Sequence, residues 1–169
     1  MTDQELQKNR FIAMGIDVGI AIAIGVVFSI IGIVAGIINS VLGGLVQVAG
    51  AAVMCGYILL RDFLLKGNSI GKHVMKIKVV NTAGGPIDMM QSIKRNIVFA
   101  LTSVLWLISS IVTMIPVLGC IAGVLLWVLQ IIVGLAVLAF VVWEIITITK
   151  DPAGIRWGDK TAGTMVVKQ

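Results

Sequence analysis

Residues 11–39 read Phe11-Ile-Ala-Met-Gly-Ile-Asp-Val-Gly-Ile-Ala-Ile-Ala-Ile-Gly-Val-Val-Phe-Ser-Ile-Ile-Gly-Ile-Val-Ala-Gly-Ile-Ile-Asn39. One ionisable side chain, Asp17, interrupts a run that is otherwise apolar or small. The run exceeds the roughly 20 residues a membrane helix needs. Its core, Ile20 to Phe28, is apolar at every position and does not alternate as a lipid-facing barrel strand would. A helix is the remaining way to pair backbone groups in lipid. A cleaved leader has an apolar core of only about 7 to 15 residues, so the expectation is a span.

Working outward, no charge lies between Asp17 and Arg61, a gap of 43 residues, or between Arg95 and Glu144, a gap of 48. Each gap holds two spans. The chain of 169 residues is 59% hydrophobic and 12% charged, with mean hydropathy +1.08; soluble domains hold about 45 to 50% apolar and about 25% charged residues. Four spans leave about 70 residues, too few for a separate soluble enzyme domain, so no enzyme and no cofactor are expected. The expected fold is an all-α membrane protein with spans at about 11–38, 45–65, 97–115 and 122–149. Asn39-Ser-Val-Leu-Gly-Gly44 and Pro116-Val-Leu-Gly119 are the turns. Loop 66–95 and tail 150–169 form a small cap. Met75-Lys-Ile-Lys-Val-Val80 alternates like a strand with one wet face, and Thr164 to Lys168 is its expected partner.

All 13 Lys and Arg fall in the N-terminal tail, the central segment or the C-terminal tail. By the retention of basic loops, those three regions are expected to be cytoplasmic. The net +5 favours anionic lipid there. No aromatic residues interleave the basic loop, which argues against nucleic acid. Four short-looped spans enclose little volume, so a homo-oligomer is expected. Cys55 and Cys120 differ in depth by roughly 15 Å at the helical rise, and no disulfide is expected.

Gly67-Asn-Ser-Ile-Gly71 matches a nucleophile-elbow pattern, but the hydrolase sheet that pattern needs does not fit in this loop. With Lys72 and His73 it also approaches a phosphate loop, yet it has three residues between the glycines and no Ser or Thr after Lys. Gly15/Gly19, Gly32/Gly36 and Gly119/Gly123 have the spacing that lets helices approach closely. Trp106, Trp127 and Trp143 are expected lipid or interface anchors.

Charges within spans are costly, about 2.5 to 3.5 kcal/mol for a central Asp, and mark function. Asp17 lies about 10 Å inside Arg10, and Glu144 lies at similar depth inside Lys150. The same count from Arg95 reaches Thr102 and Ser103. These four residues form a candidate layer of oxygen ligands for a proton or a monovalent cation. No structural metal site is expected. Arg10 and Asp17 share a helix face but are too far apart to pair.

Together the residues resemble the RDD family of bacterial membrane proteins. Arg10 opening the first span with Asp17 inside it is similar to the first signature. Gly67, Gly71 and Lys72, leading through a short strand and Gly84-Gly-Pro86 to Arg95, resemble the second. Asp159-Lys-Thr-Ala-Gly-Thr-Met-Val-Val167 resembles the closing one. Gly158 and Lys160 depart from it, where a histidine and an apolar residue are common. The resemblance implies Arg10, Asp17 and Asp159 as signature residues, and transport as the role, with monovalent cation/proton antiport as one version. A non-transporting scaffold or assembly subunit is the alternative.

Overall fold

The computed structural model describes the backbone of residues 3–150 and 155–168, and their side chains except at positions 3, 4, 116–118, 120 and 121. Four long helices, α1 (Asp3–Ile38), α2 (Ser40–Leu64), α4 (Met89–Thr113) and α5 (Pro116–Lys150), are joined by a short α3 (Ile70–Val74) and strand β1 (Ile77–Asn81). The chain closes with α6 (Trp157–Ala162) and β2 (Thr164–Lys168). Four stretches are long and apolar enough to cross a membrane: Glu5–Ile38, Ser40–Leu64, Met89–Thr113 and Ala122–Lys150. Ile33, Ile37, Val124, Leu125 and Leu138 are each more than half exposed on these helices, a distribution suited to lipid and not to water.

Three boundaries differ from the sequence expectation, for physical reasons. The first break is Asn39 alone. Its side-chain oxygen accepts from the Val41 and Leu42 N–H groups at 2.9 and 3.2 Å, which caps α2 at once. Gly43 is therefore inside a helix, where a Cβ would come within 2.6 Å of the Gly36 Cα. The glycine lets α1 and α2 approach closely. The third long helix begins at Met89 and not near residue 97, because Asp88 and Gln91 form a reciprocal cap. Gln91 N–H donates to Asp88 Oδ1 at 2.6 Å, and Asp88 N–H donates to Gln91 Oε1 at 3.1 Å. Pro116 opens α5 instead of lying in a loop, a position its fixed φ suits.

The expected strand pairing is present. β1 and β2 run antiparallel with Ile77 opposite Lys168 and Asn81 opposite Thr164. β1 starts one residue after Lys76, which takes a left-handed φ of 53° in the turn from α3. Ile77, Val79 and Val166 form one apolar cluster with Ile87 and Ala13 of α1. That cluster fixes the cap to the start of the first helix.

By internal packing the chain divides into two units. One comprises Met1–Ile20, Ile58–Ile97 and Phe140–Gln169; the other comprises Ala21–Tyr57 and Val98–Ala139. They are called the charged and the apolar unit below, and each is described by itself. In the apolar unit, Gly50 lies against Phe28 and Gly32 against Gln47. Gln130 Nε2 donates to the Thr102 carbonyl at 2.9 Å. Of the small-residue pairs, Gly32/Gly36 makes close approaches, whereas no atom comes within 4 Å of a Cβ placed at Gly15 or Gly19. Gly119 packs on Thr113 within its own turn. Cys55 is a free thiol; the side chain of Cys120 lies outside the described residues.

Candidate functional site

The charged unit buries Asp17, Arg61, Asp62, Lys72, Arg95, Glu144, Arg156 and Asp159, each with at most 9% of its surface exposed. Arg10 joins them with an 11% exposed side chain. Burying an ionised group costs several kcal/mol unless it is paired and hydrogen-bonded, so the partners decide whether the arrangement holds.

Asp17 on α1 grips the Gly67–Gly71 segment. The Ser69 hydroxyl donates to its Oδ2, the Gly71 N–H donates to Oδ1 at 2.9 Å, and Arg61 Nη1 lies 3.7 Å from Oδ2. Ser69 also caps α3, accepting from the Lys72 N–H at 3.3 Å. A Cβ on Gly71 would run into the Ala13 carbonyl oxygen, and Gly67 takes a φ of 97°. The glycines and serine that look like a nucleophile elbow serve here to seat α3 against α1.

Asp62, the second residue of the Arg61-Asp62 pair that ends the first uncharged gap, is fully buried. It receives the Lys72 ammonium, Arg95 Nε at 3.3 Å and Asn96 Nδ2 at 3.2 Å. Asn96 returns its oxygen to Arg61 Nη2 at 3.0 Å. Ser92, one turn earlier on α4, donates to the Leu59 carbonyl at 2.7 Å and ties α4 to α2. Arg95 also reaches Asp159 Oδ1 at 2.8 Å, so one guanidinium bridges α2 and the C-terminal segment.

Asp159 lies in α6, with Arg156 Nε at 3.7 Å and Arg10 Nη2 at 3.9 Å from its Oδ2. Burial alone would raise its pKa, but Arg95, Arg156 and Arg10 hold it below the usual carboxylate range. Burial would lower the Arg156 pKa, and Asp159 and Glu144 raise it instead. Glu144 pairs with Arg156 Nη1 at 4.0 Å and accepts from the Gly158 N–H at 3.5 Å. A Cβ at Gly158 would come within 2.7 Å of the Arg95 carbonyl oxygen, so a histidine there requires a shifted backbone.

Lys72 is the group poised to titrate near neutrality. Burial pushes its ammonium down to about 7, Arg95 and Arg61 add to that, and Asp62 opposes it.

Of the sequence-derived residues, Arg10 and Asp159 are paired with each other, and Asp17 is joined to Gly71 and, through Ser69, to the Gly67–Gly71 segment. Lys72 and Arg95 meet at Asp62. Asp17 and Glu144 share the charged unit but have different partners, while Thr102 and Ser103 belong to the apolar unit. The Ser103 hydroxyl donates to the Ala100 carbonyl at 2.8 Å. Arg61, Asp62 and Arg156 escaped the sequence reading, because charges at or just beyond the end of a span read as surface charges. The signal available was an Arg-Asp pair at one helix end and Arg95-Asn96 at another, with Ser92 one turn before Asn96. Among the described residues no group of three or more His, Cys, Asp or Glu is arranged to hold a metal.

A family model, that of the RDD family, matches residues 8–163. Neither a curated protein nor a solved structure matches.

Proposed function

The chain belongs to the RDD family of membrane proteins, and on that premise we propose that it is a small ion transporter whose coupling centre is the buried charge network. The observation that carries this reading is Lys72, buried beside Asp62 with its ammonium pushed down to about 7. Ionisable groups within membrane helices are expensive and mark ion and proton pathways. A network that served stability alone could often be replaced by apolar side chains at no loss.

In its specific form the reading is monovalent cation/proton exchange. When Lys72 gives up its proton, Asp62 keeps Arg95 and Asn96 but loses its ammonium partner. A monovalent cation then restores the missing charge, so proton and cation compete for one place. Asp17 is served by Ser69, Gly71 and Arg61, which favours Lys72 and Asp62 over Asp17 as the exchanging groups. The basic residues of the tails and central segment support a cytoplasmic location for both termini, and the resemblance to bacterial membrane proteins supports a bacterial inner membrane. Anionic lipid beside them and assembly into homo-oligomers belong to the same proposal.

Proteoliposomes of purified protein test it. A sodium or potassium gradient should drive proton movement, and Lys72→Met should reduce it at least about tenfold, a barrier change of about 1.4 kcal/mol. Absence of gradient-driven proton movement in the wild type overturns the reading.

The ion pairs that bind the C-terminal segment to α1 and α4, namely Arg10–Asp159 and Arg95–Asp159, favour a second reading, a scaffold whose cap is locked in place. There Arg10→Ala or Asp159→Ala lowers thermal stability or partner capture in a protein that moves no ions.

A further inference from the structure

Inside the charged unit is a cavity of about 30 Å³, enough for a particle of about the size of a water molecule. Its charged lining consists of Arg10, Arg61, Lys72, Arg95 and Arg156 on the positive side, and Asp17 alone on the negative side. The carboxylates that neutralise these cations, Asp62, Glu144 and Asp159, are not part of that lining. Two lining residues also carry buried donors with no hydrogen-bond partner among the described residues: Arg95 Nη2 and Arg61 Nε. Arg95 is 1% exposed. A buried donor of this kind costs free energy until something accepts from it, more so when it is charged.

Size and charge together narrow the occupant. Phosphate, sulfate and carboxylate ligands exceed the volume, and a cation in this cavity, as distinct from one held at the Asp62 carboxylate outside its lining, would meet the guanidinium groups of Arg10, Arg61, Arg95 and Arg156. We infer that the cavity of the charged unit binds a single halide-sized monovalent anion, accepted by the guanidinium groups of Arg61 and Arg95 and the ammonium of Lys72. Such an ion accepts from several donors at once without a fixed geometry, which suits groups arriving from α2, α3 and α4. The inference rests on the cavity and its lining, not on the transport reading.

The test uses the full chain in lipid nanodiscs, prepared in gluconate and titrated with chloride, bromide or sulfate at constant ionic strength. Chloride and bromide should raise Tm saturably, by about 3 to 6 °C at tenfold over Kd, and sulfate should not. Crystals grown in bromide should place one anomalous scatterer among Arg61, Lys72 and Arg95. Arg61→Gln and Lys72→Met should each reduce halide affinity at least about tenfold, a loss of about 1.4 kcal/mol. Because the bromide measurement uses the unaltered protein, misfolding of a variant does not spoil it. Equal Tm in gluconate and chloride, or bromide found only at the protein surface, overturns the inference in favour of a water-filled cavity. A protein that shows the halide shift but moves no ions contradicts transport and leaves the anion site standing.

Discussion

The charged and the apolar unit are built from the same four long helices, yet opposite chemistries hold them together. Among the described residues, the eight buried ionisable side chains all fall in the charged unit. Buried positions of the apolar unit include Ala21, Ala35, Ala51 and Ala100, with glycines in close contact at Gly36 and Gly43. Between helices in lipid, apolar surface gains little by moving from tails to protein, so small residues that permit tight contact do the holding. In the charged unit each ion is tolerable only through its partners. One part therefore fails by steric intrusion, and the other by removal of a counter-charge.

The largest expected effect comes from Arg95→Met, which strips both Asp62 and Asp159 of a close cation. Thermal unfolding in detergent or nanodiscs should show a loss of about 3 to 5 kcal/mol; a loss under about 1 kcal/mol would mean the network is not load-sharing at Arg95. Asp17→Asn comes next, at about 1.5 to 3 kcal/mol, since it weakens charge-assisted bonds from Ser69, Gly71 and Arg61. Proteolysis within residues 66–69 should also accelerate in that variant. In the apolar unit, Gly43→Val should cost about 1 to 3 kcal/mol by forcing apart backbones that meet at Gly36. That the variant is charge-neutral makes it the sharpest contrast with Arg95.

A pH effect ranks below these. Lys72 has its pKa lowered on folding from 10.5 to about 7, so between those values the unfolded chain binds more protons. Its contribution to stability is full above 10.5 and is lost as pH falls through about 7. Stability should thus rise with pH across that window by up to about 1.4 kcal/mol per unit, and Lys72→Met should flatten the slope. Smallest of all, Leu135→Ala on the exposed face of α5 should change stability by about 0.5 kcal/mol or less; a larger loss in nanodiscs would reveal a protein contact at that face.

Most of the fold was legible because long uncharged gaps have one physical meaning and alternation at Ile77 and Val79 another. The errors at Gly43 and Met89 share a cause. Glycine marks a turn in water but close approach in lipid, and a polar start to a helix hides in a loop unless its Asp88/Gln91 cap is noticed. For the site, Asp17 and Glu144 stood out as charges within apolar runs, whereas Arg10 and Asp159 were recognisable only through the family resemblance. Arg61, Asp62 and Arg156 did not stand out. Arg61 meets Asp17 and Asn96, and Asp62 meets Arg95 and Asn96, all more than 30 residues away in sequence, and no local pattern encodes those contacts. Lys72, read as part of the loop motif, has its pKa lowered by a burial that its place in the sequence does not reveal.

The protonation of Lys72 can be observed directly, by ¹⁵N NMR titration of its side-chain nitrogen in the full-length protein in nanodiscs. A midpoint near 7 is expected, and Asp62→Leu should lower it further, because the Asp62 carboxylate opposes the downward shift. A midpoint near the ordinary 10.5 would contradict a buried, proton-exchanging lysine at the centre of the network.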